Sequence, residues 1–542
     1  MSDSISTRIL SVLNRRPGTV LVALLVLATL RIAATWCVFN HTSDEPAHIA
    51  CGTEWLSRGQ YRYEPQHPPL TRVMVSLGPY LLGARTTGER EMSMEGLNVL
   101  NHGNHYDLTL ALSRAGNLPF FWLATLMSFL WGRRLYGTAA GVLSAAVFTL
   151  LPLVLAHAGL STTDMGLTAT FAAALYTLLN CWERPGWRSG LLLGLSLAGM
   201  LLCKFSSCVF FPAALAAIAA VGWRRARPDA ADVLNRVKAV APALGLALAT
   251  CLVVLWAGYR FSFGTAAWFP FRVPFPELFD GLAAVREHNR TGHWAYLLGD
   301  RRGSGWLVFF EVLFVYKTPI AALALVGLKP WLPSAERRGE RWPGWLPWVI
   351  LSALFVVVIP ARITIGLRHL LPAFVWFAVL AGGALWELLE AAPRHFWAMP
   401  AGTVLALWLV VAGAAAHPDY LPYFNAFAGD APERIAVDSD LDWGQDMKRL
   451  AVRLKELDAS AVAFSPHIYA DLTVLGFPSH QPNHADKPEP GWNAVSLTEL
   501  KLHRLHGRRR RSKRPLWPEQ NEPVERVGHS ILLYYFPARP QL

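Results

Sequence analysis

Two adjacent carboxylates, Asp44 and Glu45, stand in the segment His41-Thr-Ser-Asp-Glu-Pro-Ala-His48, directly after an apolar block at 19–40. Carboxylates are costly to bury where a chain leaves a bilayer, so this pair needs water, a cation or a chemical task. A wet loop mouth alone would satisfy the first of these. Other polar residues flank later apolar blocks. Ser161-Thr-Thr-Asp164 ends one, Lys204 sits in a tight turn between two more, and Arg362 and Arg368 bracket Thr364-Ile-Gly366 ahead of another. The first polar loop adds His48, Arg58 and a His67-Pro68-Pro69 turn. Arginine suits phosphate through its two-pronged donor geometry. Two arginines and a lysine on the outer face run against the usual charge bias of membrane proteins, so they read as a binding site for something anionic. Acids and phosphate-binding cations gathered at one membrane face suit a lipid-phosphate substrate.

The elements that position these residues are membrane spans. The 542-residue chain is 53% hydrophobic and only 16% charged, too few charges for a soluble surface of this size. Its apolar residues fall in blocks long enough to cross a bilayer core, and 22 tryptophans fit an interfacial belt. Much of the net charge of +12 lies in short loops between blocks, where it reads as an orientation signal and not as a nucleic-acid footprint. The block at 19–40 is too long for a cleaved signal and reads as an anchor. Arg8, Arg15 and Arg16 before it place the N-terminus in the cytoplasm.

About eleven spans follow from this reading, at 19–40, 117–132, 138–157, 165–182, 189–202, 207–223, 240–259, 305–328, 345–360, 370–389 and 397–416. Basic loops (Arg133, Arg134; Arg184, Arg188; Arg224, Arg225, Arg227; Arg337, Arg338, Arg341) fall on the inner side. Large outer loops are expected at about 40–116 and 260–304. Charged residues inside spans, Arg31, Glu311 and Lys317, each cost about 2.5–3.5 kcal/mol at mid-membrane. Glu311 and Lys317, six residues apart, point to different helix faces, and Lys317 reads as structural beside its Thr-Pro step. The six cysteines have no metal-ligand spacing; a Cys37–Cys51 bridge is compatible with the sequence, but free thiols are expected.

From 417 to 542 the composition turns polar, and a small extracytoplasmic α/β domain is expected. Strands are read at 434–437, 461–464 and 530–536, a helix at 444–457, and loops at 481–491 and 504–521. The basic run Arg508 to Arg511, Lys513, Arg514 reads as a solvated loop or a contact for anionic headgroups or polymers.

Asp44-Glu45 after the first span, the long first outer loop, Ser-Thr-Thr-Asp164, Cys-Lys204-Phe-Ser and Gly366-Leu-Arg368-His-Leu-Leu-Pro372 together resemble the C-type (GT-C) glycosyltransferase superfamily. Within it the chain is similar to bacterial members of glycosyltransferase family 39, the dolichyl-phosphate-mannose protein mannosyltransferase-like proteins. Tyr423-Phe-Asn425 followed by Val437-Asp-Ser-Asp-Leu-Asp-Trp-Gly-Gln-Asp446 looks like the signature of an uncharacterised bacterial branch. The resemblance implies a multi-pass enzyme of the inner or plasma membrane that moves a sugar from a polyprenyl-phosphate donor to a hydroxyl acceptor outside the cytoplasm. It implies Asp44 as the general base, Glu45 and Asp164 shaping the acceptor and sugar pocket, and Lys204 and Arg368, with Arg362, holding the donor phosphate. His48, Arg58, His67 and His369 would line the substrate pocket. No cofactor is required, since a lipid-phosphate donor lacks the pyrophosphate that nucleotide-sugar enzymes clamp with a metal; a divalent cation is left open. The partners implied are the lipid-linked sugar, the hydroxyl acceptor (protein, lipid or envelope glycan) and the bilayer. The inserted β-trefoil domains of the eukaryotic protein mannosyltransferases are missing. A transporter or flippase of a lipid-linked or anionic solute is the alternative, with an inactive membrane scaffold as a third reading. Acids at the outer ends of spans, and not at mid-membrane, argue against transport.

Overall fold

The computed structural model describes residues 5–332, 344–484, 486–503 and 515–537. The inner-loop arginines at 337, 338 and 341 and the basic run at 508–514 lie outside the described residues. Helix occupies all eleven apolar blocks, but the blocks are not eleven equal spans. Five described helices are long and apolar enough to cross a membrane: Pro17–Thr35, Ser207–Ala226, Ala230–Gly258, Ala373–Ala391 and Ala398–Ala415. Two bent pairs raise the number to seven. Trp187–Cys203 and Leu346–Val358 are apolar but shorter. Leu118–Tyr136 and Asp164–Glu183 are more polar and pack inside the bundle, where a helix faces protein and need not be apolar all round.

Both bends have a proline at the break. Thr138–Phe148 and Pro152–Ala158 meet at 70°, and Phe309–Lys317 turns by 107° into the segment Ile320–Trp331 after Pro319. Proline removes a backbone donor and clashes with the preceding turn, so neither helix continues through. The carbonyls freed at the second break must be satisfied elsewhere. Asn425 does this: its amide side chain donates to Val315 O (2.6 Å) and Thr318 O (2.7 Å), and its backbone N–H to Tyr316 O (2.8 Å). Lys317 at the same break donates to the carbonyls of Leu421 (2.9 Å) and Asp440. The Ala373–Ala391 helix is buried almost throughout and forms the centre of the bundle, where Trp376 meets Trp131 at 4.7 Å between ring centroids.

The first outer loop is largely helical, with Glu45–Arg58, Pro69–Leu81, Met92–Leu100 and Tyr106–Ala115. The second holds two short hairpins around the helix Pro276–Thr291. Beyond residue 417 a five-stranded sheet runs in the order Ser479–Gln481, Ala461–Phe464, Gly491–Ser496, Ile531–Phe536, Glu525–Val527. The first three strands are parallel and the last two pair antiparallel. The helix Met447–Glu456 covers one face through Leu450 and Leu454. The expected strand at 434–437 is a correction: a 3-10 turn at Pro432–Arg434 leads into irregular chain. Ile435 and Ala436 are buried against the bundle and Val437 beside Leu441, so the apolar run serves packing and not a ladder. The central strand Gly491–Ser496 falls just after a stretch read as loop. All six cysteines are free.

Candidate active site

Four segments distant in sequence bring charged groups together. Asp44 stands at the N-terminus of Glu45–Arg58 without a capping bond from its side chain, and Asp164 opens the helix Asp164–Glu183, where the helix dipole favours an anion. Lys204 follows the end of Trp187–Cys203 in extended backbone, and Arg368 lies in the 3-10 turn Leu367–Leu370. Arg368 Nη2 reaches Asp44 Oδ2 at 2.9 Å and its Nη1 reaches Asp164 Oδ2 at 3.5 Å. Lys204 Nζ holds Asp164 Oδ1 at 2.5 Å. Burial opposes charge on Arg368, but Asp44 and Asp164 outweigh it and raise its pKa.

The two acids differ in access. Asp164 is buried between two cations, whereas the Asp44 side chain is 35% exposed. Asp44 is therefore the carboxylate that a reactant can reach. Nearby donors are aimed without partners: Arg368 Nε and His48 Nε2 are buried and unbonded. Buried polar atoms of this kind ordinarily find a partner.

Glu45 has a different task. Its carboxylate accepts from Arg114 Nε (2.9 Å) and Nη2 (2.8 Å) and from the backbone N–H groups of Thr42 (2.8 Å) and Ser161 (2.9 Å). Burial opposes its charge, but Arg114 prevails and its pKa is lowered. A carboxylate so fully engaged fixes the loop exit to the start of the 161–164 segment, which sets Asp44 and Asp164 in register.

His48 and His67 belong to a buried platform around Arg72. Arg72 Nε donates to His48 Nδ1 (3.0 Å), and Glu64 takes both Arg72 and His67 Nδ1 (3.1 Å). Since His48 Nδ1 accepts, Nε2 carries the proton. Arg72 outweighs burial at Glu64, whose pKa falls to about 2. His369 follows Arg368; burial, with Lys204 and Arg368, keeps it neutral by lowering its pKa. Arg58 is exposed in the last turn of its helix, about 20 Å along the axis from Asp44. Arg362 is exposed and donates to Arg290 O (3.1 Å) and Asn289 Oδ1 (3.0 Å), clasping the end of Pro276–Thr291. Neither joins the cluster.

The segment 437–446 supplies what residue-type reasoning did not assign. The Trp443 ring lies 4.3 Å from the Arg368 guanidinium carbon, and Trp443 O accepts from Ser43 N at 3.1 Å. Ser439 Oγ donates to Ile365 O, and Leu367 N donates to Asp440 Oδ1 at 3.1 Å, so this turn and the Arg368 loop are one assembly. Asp438 adopts a left-handed backbone, φ 56°, braced where its N–H donates to Thr498 Oγ1 at 2.9 Å. Burial, only partly offset by Arg368 and reinforced by Asp44, pushes its pKa up to about 7. The available signal was the density of acids in Asp-Ser-Asp-Leu-Asp-Trp. Among the described residues, no three His, Cys, Asp or Glu side chains group closely enough to hold a metal ion.

Residues 117–257 match the sequence model of the dolichyl-phosphate-mannose-protein mannosyltransferase family. The structure is similar to ArnT from Cupriavidus metallidurans bound to undecaprenyl phosphate, with TM-score 0.50 and 15% identity over 94% of this chain and 97% of that one. It is also similar to the oligosaccharyltransferase of Archaeoglobus fulgidus tethered to an acceptor peptide containing the NVT sequon, with TM-score 0.50 and 11% identity over 88% of this chain and 69% of that one. No curated protein matches the chain by sequence. At such identities the likeness is one of fold.

Proposed function

We propose that this chain, a multi-pass membrane protein with the GT-C glycosyltransferase fold, transfers a sugar from a polyprenyl-phosphate donor to a hydroxyl acceptor. The observation that carries the reading is the cluster at one end of the bundle: a reachable carboxylate, Asp44, on a guanidinium that also contacts a buried Asp–Lys pair. The match at 117–257 includes both Asp164 and Lys204, and ArnT was crystallised with the kind of lipid phosphate that remains after transfer.

In this reaction the acceptor oxygen bonds to the anomeric carbon as the bond from that carbon to the phosphate oxygen breaks. The acceptor proton passes to Asp44 Oδ. Negative charge gathers on the departing phosphate, next to Arg368 and Lys204, while the sugar becomes positive near the acids. Preorganised charges placed in this way stabilise the transition state more than the ground state. Asp164 keeps the two cations fixed and close without neutralising them in bulk water. The site lies on the extracytoplasmic side in this reading, since Arg8, Arg15 and Arg16 precede the first span. A periplasm-active reporter fused after residue 542 should be active, and activity of a cytoplasm-only reporter there would invert the topology.

The deciding experiment offers purified protein a panel of labelled polyprenyl-phosphate sugars with envelope extract as acceptor. Asp44→Asn should stay folded and lose about 10²–10⁴-fold in transfer. Wild-type activity retained by Asp44→Asn removes Asp44 as the base. Absence of transfer by folded wild type from every donor would favour a transporter or scaffold.

A further inference from the structure

The end of the Ala230–Gly258 span carries a feature that the transfer reaction does not use. Immediately beyond it the hairpin Phe263–Ala266/Phe269–Pro274 leaves large aromatic side chains in the open: Phe261 is 58% exposed, Phe263 52%, Trp268 47% and Phe271 60%. Rings of this size, about half exposed, leave roughly 400 Å² of apolar surface open, spread over both faces of the hairpin: Phe263 pairs with Pro274 and lies beside Arg272, while Phe271 lies on the other face beside Phe269. In water such exposure is a liability.

The chain cannot carry it far from the bilayer. Phe261 is three residues past the end of the span and so within about 10 Å of it. The backbone also turns back at once: Arg260 (φ 55°) and Phe261 (φ 58°) are consecutive left-handed residues, a conformation that a bulky side chain rarely adopts. The turn is tied to the span by Phe261 N to Trp256 O (2.8 Å) and Trp256 Nε1 to Ser262 O (2.7 Å), and to the first-loop helix Glu45–Arg58 by Arg260 Nη1 to Trp55 O (2.9 Å). Strain held in this way keeps the hairpin at the span's mouth. Arg272 lies 5.3 Å from the Phe263 centroid, and Arg260 lies 4.6 Å from the Trp55 centroid at the foot of the turn. Aromatic rings interleaved with arginine match the headgroup layer, where rings meet the acyl boundary and guanidinium meets lipid phosphate.

We infer that this hairpin, with Phe261 ahead of it, is an interfacial anchor seated in the leaflet on the active-site side of the membrane, its occupant being phospholipid. The anchor is rigidly joined to the site. Glu277 accepts from Ser262 Oγ (2.6 Å) and Asp280 from Ala267 N (2.7 Å), fixing the hairpin to the helix Pro276–Thr291. That helix presses on the first loop: a Cβ on Gly281 would lie 2.3 Å from Pro65 O and 2.5 Å from the Phe205 ring, beside Lys204. Its His288 also meets Gln66 Oε1 at 2.8 Å. The depth of the hairpin in the leaflet therefore sets the height of the charged cluster above the acyl region.

The test uses the full chain in phospholipid nanodiscs, with the exposed Cys37 and Cys208 replaced by serine. Phe263→Cys, Phe271→Cys and, as a wet control, Glu287→Cys each carry an environment-sensitive dye. Dyes at 263 and 271 should be quenched by lipids brominated high on the acyl chain and shielded from aqueous iodide, with the reverse at 287. The unmodified chain should, in parallel, cross-link a photoreactive phospholipid within 261–272. If 263 and 271 behave like 287 and no cross-link falls in that segment, the anchor is overturned. A dilution-dependent signal would then assign the patch to a second copy, and a glycan-dependent one to the acceptor.

Discussion

Arg368 is the residue through which the charges of the site communicate. Its guanidinium touches Asp44 and Asp164, stacks on Trp443 and feels Asp438. Below about pH 7 Asp438 is protonated, and in the proposed reaction Arg368 then meets the donor phosphate with only Asp44 and Asp164 drawing on its charge. Above it a third carboxylate ionises beside Asp44 and Asp164 and competes for the same cation. Donor KM should therefore rise as pH passes upward through 7. Asp438→Asn, which stays neutral and tolerates a left-handed backbone, should hold donor KM level from pH 6 to 8. An unchanged alkaline rise in that variant would remove Asp438 from the site. Asp44, Asp164, Lys204 and Arg368 were legible in the sequence because an ionisable residue at the end of an apolar block is expensive without a purpose. Arg114 was not, because nothing in its type separates a buried partner of Glu45 from an ordinary loop cation. Nor does the adjacency of Asp44 and Glu45 carry information about which of the two faces protein; in the structure it is Glu45, buried against Arg114.

At the scale of elements, the site depends on a contact between two irregular segments, the turn 438–440 and the loop 365–368. A Cβ on Gly366 would lie 2.1 Å from Ser439 Oγ and 3.3 Å from its Cβ, so the Ser439 side chain occupies the space that a side chain at 366 would need. Gly366→Ala should push them apart, costing about 1–3 kcal/mol of stability. Displacing Arg368 by a fraction of an ångström should cost up to about 10²-fold in turnover. Adding Ser439→Ala opens space and should recover part of both losses, less what the broken bond to Ile365 O contributes. Thermal unfolding and steady-state transfer on the single and double variants would check this, and additive losses would show that the contact is not what couples them. Regular elements read well from sequence: the Ala461–Phe464 strand is a short apolar run, and the helix at Met447–Glu456 has clear periodicity. The turn at 438–440 has none, because its shape is dictated by Lys317, Leu367 and Thr498, which come from three other parts of the chain.

On the scale of the whole molecule, the polar region after 417 is stitched into the bundle at the point where the bundle is broken. Lys317 is a buried cation in a membrane segment, and its hydrogen bonds to Leu421 O and Asp440 O come from that region. Asn425 caps the same break, and Asn40 Nδ2 donates to Gly444 O at 2.7 Å. Sequence showed that Lys317 would be structural but not what it would hold, since the two carbonyls lie more than a hundred residues away. A chain ending at residue 416 would leave Lys317 an uncompensated buried charge, a loss of about 3–5 kcal/mol, and open carbonyls at the break. It should therefore unfold at lower temperature in detergent than the full chain. Lys317→Met in the truncated chain should restore part of that stability, because the charge is gone, but none of the transfer. Arg368 would still lack its Trp443 face and Leu367 its Asp440 acceptor. Size-exclusion thermal profiles and sugar transfer, measured on the same preparations, separate the two effects. A truncated chain as stable and as active as the full one would make the C-terminal region an appendage; stability without activity after Lys317→Met would place part of the reaction centre beyond the last span.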